Sequence, residues 1–231
     1  MRRISQRRCF YSPAVTCSLR KMRRIRRQER TDGLSPEGEG LPKEMERKAY
    51  LYLTDSGTFP GWVVKRVTRY PYSHAMLSLR GDGTQLHSFG RRSIHNFLNG
   101  GFVTENWDGP FFSHFSKTQC TVYELPLSQA QFSAVETVLE EFCREREKLR
   151  YDFAGCFLRL FGISAFFSGH YTCSHFVAEV LQRSGIHSFP EGTATVRPSE
   201  LAGLPGARCI YTGRLRALPS AKRKGEEKCS N

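Results

Sequence analysis

No apolar run in this chain is long enough to cross a bilayer. The strongest, Phe153 to Phe167, is broken by Arg159 and falls short of the roughly twenty residues a span requires. It reads as a buried helix, with membrane or acyl-chain contact as the alternative. A secretory signal is also missing, since the Arg-rich start leads only into Ser12-Pro13-Ala14-Val15-Thr16-Cys17. These two absences predict a cytoplasmic protein. None of the eight cysteines forms a Cys-x-x-Cys pair, and without a signal they are expected to be reduced. A zinc site built from His170, Cys173 and His175 would lack the usual ligand spacing, so no metal or organic cofactor is implied. No internal repeat is visible.

Acidic residues are scarce in one place only. Residues 1–31 hold eleven Arg and Lys against one Glu, and residues 214–231 hold six against two, out of a formal net charge of +13. The stretch between them is close to neutral. A basic face on the folded domain is therefore not expected, which excludes specific nucleic-acid binding as the main function. The basic ends could touch a membrane or another anionic surface. The first segment, 1–47, reads as a solvated arm and linker, dispensable or even an over-extended translation start. The folded domain is expected over 48–216 and a basic tail over 217–231. With 39% apolar residues in 231, the chain can bury one core, and its fold class reads as α+β.

Along that domain, Ala49 to Thr54 reads as a strand closed by Asp55-Ser56-Gly57, and residues 60–70 as a short helix. Ser73–Leu79 and Thr84–Phe89, separated by Arg80-Gly81-Asp82-Gly83, predict a hairpin. Residues 91–116, rich in Gly, Asn, Phe and Ser, read as a long surface connection, and Cys120–Leu125 as the next strand. Ser128 and Gln131 form a capping box ahead of Phe132, Val135, Val138, Leu139 and Phe142 at helical spacing, a helix expected to end near Lys148. A second helix starts after Thr172, with Cys173, Phe176, Val177, Val180 and Leu181 on one stripe and Gly185 past its end. A short turn at Pro198–Leu201 and a strand at Cys209–Gly213 follow.

The position of Cys173 carries chemistry. First-turn N–H groups and the helix dipole favour a thiolate there. The N–H groups of Cys173 and Ser174 could also hold the oxyanion of an acyl-transfer step. Such a thiol needs a base on a rigid element, and His74 opens a strand. Periodicity alone leaves Cys173 equally readable as a core cysteine packed beside Phe176 and Val177.

The string Tyr171-Thr172-Cys173-Ser174-His175-Phe176-Val177 resembles the nucleophile motif of NlpC-type papain-like cysteine peptidases and amidases. Ser73-His74-Ala75-Met76-Leu77-Ser78-Leu79 precedes it by about a hundred residues. His-before-Cys is similar to the circularly permuted branch, which includes lecithin-retinol acyltransferase-like and YiiX-like proteins. The phrases Leu53–Thr58, Ser88–Arg91 and Gly100–Glu105 look like a bacterial set within it. The resemblance covers about residues 48–187. It implies a small antiparallel sheet packed against helices, the nucleophile helix among them. It also implies Cys173 as nucleophile, His74 as base and a third polar residue on the next strand. His87 is the preferred candidate for that third residue, and Ser88 fits if the register slips by one. Tyr171 would line the oxyanion pocket. The implied function is thiol-dependent cleavage of an amide, in a peptide or a cell-wall-derived peptide, with an amide- or ester-containing substrate. The alternatives are a lipid acyl hydrolase or acyltransferase, and a non-enzymatic interaction module with a basic arm. The oligomeric state is not legible.

Overall fold

The computed structural model describes residues 47–58, 61, 65–66, 69–94, 96, 99–155 and 167–218. The arm over 1–46, most of the expected helix over 60–70, most of the apolar segment 153–167 with Cys156, and the tail over 219–231 lie outside the described residues. The rest is a mixed α+β fold around one antiparallel sheet. Its strands are β1 (Arg47–Asp55), β2 (His74–Ser78), β3 (Leu86–Arg91), β4 (Gly100–Glu105), β5 (Gln119–Leu127) and β8 (Arg208–Arg214), in the order β4-β3-β2-β1-β5-β8. The helices are α1 (Pro110–His114), α2 (Gln129–Glu145), α3 (Cys173–Arg183) and α4 (Pro198–Leu201). Two short strands, β6 (Arg150–Tyr151) and β7 (His170–Tyr171), pair in parallel outside the main sheet.

β1 lies inside the sheet, and both of its faces are buried, which explains its almost uninterrupted apolar sequence. Ala49, Leu51 and Leu53 join Ala75, Leu77 and Phe89 on the face covered by α2 and α3. Tyr52 joins Met76, Leu86 and Val122 on the opposite face, covered by Phe112 of α1 and by Leu215 and Leu218. The helix-covered face is largely aromatic at its centre. Phe176 of α3 stands 5.6, 5.5 and 5.0 Å from Phe89, Phe102 and Phe142.

Local signals explain most element boundaries. Ser128 Oγ accepts from the Gln131 N–H, while Gln131 Oε1 accepts from the Ser128 N–H, so the capping box starts α2 as read. α2 ends at Glu145, slightly before the expected Lys148. The hairpin forms too: Asp82 Oδ1 accepts from the Thr84 N–H and hydroxyl, and Gly83 takes a positive φ.

The stretch 91–116 is not simply a surface connection. It contains β4, which pairs with β3 from Leu86↔Glu105 to Arg91↔Gly100, and it contains α1. Its glycines are needed for close approach rather than for a loop. A Cβ at Gly100 would lie 2.6 Å from Cβ of Tyr151, and one at Gly101 would lie 2.7 Å from the Arg92 guanidinium.

Candidate active site

Cys173 is the first residue of α3. Thr172 caps the helix, its Oγ1 accepting the His175 N–H at 3.3 Å and its carbonyl accepting the Phe176 N–H at 3.0 Å. The amides of Cys173 and Ser174 therefore lead the helix, ahead of Phe176, the first amide that donates within it, and at the positive end of the dipole. The chain enters through β7, fixed by Arg150 N–H to the Gly169 carbonyl (2.9 Å) and Asp152 N–H to the Tyr171 carbonyl (3.0 Å). The thiol is only 3% exposed.

His74 opens β2, against which α3 packs. Tyr171 and Phe176, on either side of Cys173 in sequence, have rings 5.0 and 5.6 Å from Phe89. The residue after Phe89 is Gly90, where a Cβ would lie 3.6 Å from His74 Cε1. α3 covers the face of Ala75 and Leu77, whereas His74, two residues before Met76, alternates onto the opposite face with Ser88. The imidazole is turned toward Ser88 and Gly90.

The Ser88 hydrogen bonds define the tautomer. Its hydroxyl donates to the Ala75 carbonyl at 2.6 Å, which uses its one proton, so it acts as acceptor toward His74 Nε2 at 3.3 Å. His74 then carries its proton on Nε2 and leaves Nδ1 as the basic nitrogen. Burial, reinforced by the nearby Arg91 guanidinium, lowers the imidazole pKa from 6.5 to about 4. The ring is neutral at pH 7, in the form that accepts a proton.

His87 does not take the place beside His74. The pair Leu77↔His87 fixes the register and places His87 on the face of Leu77, whereas Ser88 lies on the other face with Met76. His87 instead shares a hydrogen bond with Thr104 Oγ1 (Nδ1 to Oγ1, 3.0 Å) and stacks on Phe102 at 5.9 Å. The polar neighbour of His74 is therefore Ser88 rather than the preferred His87. Ser174 is buried, and its hydroxyl donates to the Val196 carbonyl at 2.6 Å, so only its backbone N–H is left to offer an oxyanion. The Tyr171 ring packs on Phe89, Phe142 (5.3 Å) and His175 (4.5 Å). It also borders a cleft of about 260 Å³ with Glu145 and Arg183.

Two further residues were without a role in the sequence reading. Arg91 ends β3, with its guanidinium 5.6 Å from the centre of the Phe115 ring, close enough to His74 to lower its pKa. Glu105 ends β4, and burial alone raises its carboxyl from 4.5 to about 7. Both line a cavity of about 450 Å³ along β4. Among the described residues, no three His, Cys, Asp or Glu side chains are grouped as a metal site, and no helix is long and apolar enough to cross a membrane. Compared with protein-family models, curated proteins and solved structures, the chain matches none.

Proposed function

We propose that this protein is a thiol-dependent hydrolase of amide bonds, acting on a peptide or cell-wall-derived peptide through a permuted papain-like arrangement. The supporting observations are Cys173 at the capped start of α3, where leading N–H groups and the dipole favour a thiolate, and a neutral His74 imidazole, hydrogen-bonded through Nε2 to Ser88, at the start of β2, the strand on which α3 packs. In this reading Nδ1 takes the Cys173 proton as sulfur attacks the carbonyl carbon. The N–H groups of Cys173 and Ser174 hold the oxyanion, which collapses with cleavage of the C–N bond. The proton on Nδ1 passes to the departing amine. Water, deprotonated by the same nitrogen, then hydrolyses the thioester and frees the thiol. Ser88 keeps the ring oriented throughout and, through Ala75, ties that orientation to the strand.

Labelling with two probes tests this reading. A peptidyl chloromethyl ketone should form an adduct on Cys173 found by peptide mapping, and His74→Ala should suppress it. Labelling only by a long-chain acyl β-lactone would replace the amide reading with lipid ester chemistry. No adduct on Cys173 from either probe would overturn the thiol mechanism.

A further inference from the structure

The cavity along β4 is lined by one carboxylate, Glu105, and three guanidinium groups, of which Arg92 is bonded to the Arg146 and Leu149 carbonyls and Arg146 pairs with Glu147, while Arg91 and Glu105 do not meet. Glu105 has no hydrogen bond or ion pair among the described residues, and it lines the cavity. Arg91 has no carboxylate partner among the described residues either, its guanidinium resting on Phe115. A carboxylate and a guanidinium in one cavity would normally pair if they could reach each other. They are rooted too far apart. Arg91 pairs with Gly100 at one end of β4 and Glu105 stands at the other end, five residues on, or about 17 Å of strand. Side-chain reach from both ends narrows the charge separation to on the order of 10 Å, roughly the length of three extended residues. The wall is mixed, with Val103, Ile94 and Phe111 as its apolar part beside Ser93, Thr104, Arg92 and Arg146.

We propose that this cavity binds a short extended peptide of about three residues with both ends free, its ammonium on Glu105 and its carboxylate on Arg91. Such a ligand supplies the cation that Glu105 lacks and the anion that Arg91 lacks, and it covers Val103, Ile94 and Phe111. The volume suits it, since small-molecule sites begin at roughly 300 Å³. β4 is also an edge strand, so an extended chain can run alongside it. The cavity adjoins the proposed base: Val103 and His74 Cε1 both lie 3.6 Å from a Cβ built on Gly90, and Arg91 belongs to both places. As the substrate of the amide hydrolase, the peptide class rests on the reading above, but binding itself does not require turnover.

The test uses the full chain carrying Cys173→Ala, titrated calorimetrically with Ala-Leu-Ala, its N-acetylated form and its C-amidated form. The free tripeptide should bind, and either blocking group should weaken it at least tenfold. Glu105→Gln should erase the penalty of acetylation only, and Arg91→Gln the penalty of amidation only. Arg91→Lys should keep that penalty in part, and it serves as the charge-retaining control if Arg91→Gln loses the native circular-dichroism spectrum. Equal binding of all three forms, no binding at millimolar peptide, or selectivity untouched by both substitutions would overturn the proposal. Binding as predicted by a chain that shows no Cys173 chemistry would retain the site and remove the hydrolase.

Discussion

Glu105→Gln should stabilise the protein by an amount that grows as pH rises from 4.5 to 7 and is full above neutral pH. The Glu105 carboxyl is largely withdrawn from water and has no partner among the described residues, so its ionisation in the folded state is opposed by desolvation. Raising its pKa from the ordinary 4.5 to about 7 corresponds to about 3 kcal/mol at 1.36 kcal/mol per pH unit. Because the folded-state value is the higher one, the folded protein holds the proton more tightly between those pH values. This group's contribution is full below pH 4.5 and is lost as pH rises through 7. Glutamine has the shape of the neutral acid and nothing to ionise. The variant should therefore match the parent near pH 4.5 and exceed it by roughly 2–3 kcal/mol at pH 8.5. Urea unfolding at both pH values measures the difference directly, with the slope of each transition checked for constancy. A gain of the same size at both pH values, or none at pH 8.5, would refute the claim that Glu105 stands unpaired in a desolvated cavity.

Other perturbations separate the roles of neighbouring residues. Ser88→Ala removes the acceptor that fixes the His74 tautomer, so Cys173 labelling by a peptidyl electrophile should slow about tenfold or more. His87→Phe, on the other face, should leave that rate within about twofold; equal effects would contradict the assignment of Ser88 as the partner of His74. His87 has its pKa lowered from 6.5 to about 4 by burial, so its contribution is present above pH 6.5 and lost as pH falls toward 4. His87→Phe should remove up to about 3 kcal/mol of the acid-side loss, read from urea unfolding at pH 7 and pH 4. Thr172→Ala, which deletes the α3 cap, should cost about 1 kcal/mol in the same measurement at pH 7.

What was legible in the sequence was local. Ser128 with Gln131 specifies the start of α2 through contacts three residues apart, the apolar stripe after Thr172 marks that of α3, and both helices begin there. β1 and the hairpin were likewise readable from their own residues. β4 was not, because the reason for Gly100 and Gly101 lies in Tyr151 and Arg92, which sequence spacing does not bring near. The choice between His87 and Ser88 illustrates the same limit. Their distances in sequence from His74 differ by one, but a strand alternates its faces, so the pairing of Leu77 with His87 decides which of them meets the imidazole. Arg91 and Glu105 lay within phrases recognised only as resemblances. Their isolation from each other is a property of strand length and pairing, and it emerges only when β4 is placed at the sheet edge.

Competitive alkylation of the folded chain by iodoacetamide at pH 7, followed by peptide mapping, tests the central claim most directly. Cys143 and Cys209 are exposed, Cys120 is buried with its thiol pushed up to about 12, and Cys173 is 3% exposed. Accessibility alone ranks Cys173 with Cys120. If the helix start and His74 activate Cys173, it should react faster than Cys143 and Cys209 despite its burial, and His74→Ala should return it to the protected class. Protection of Cys173 equal to that of Cys120, unchanged by His74→Ala, would make it a core cysteine and contradict the account.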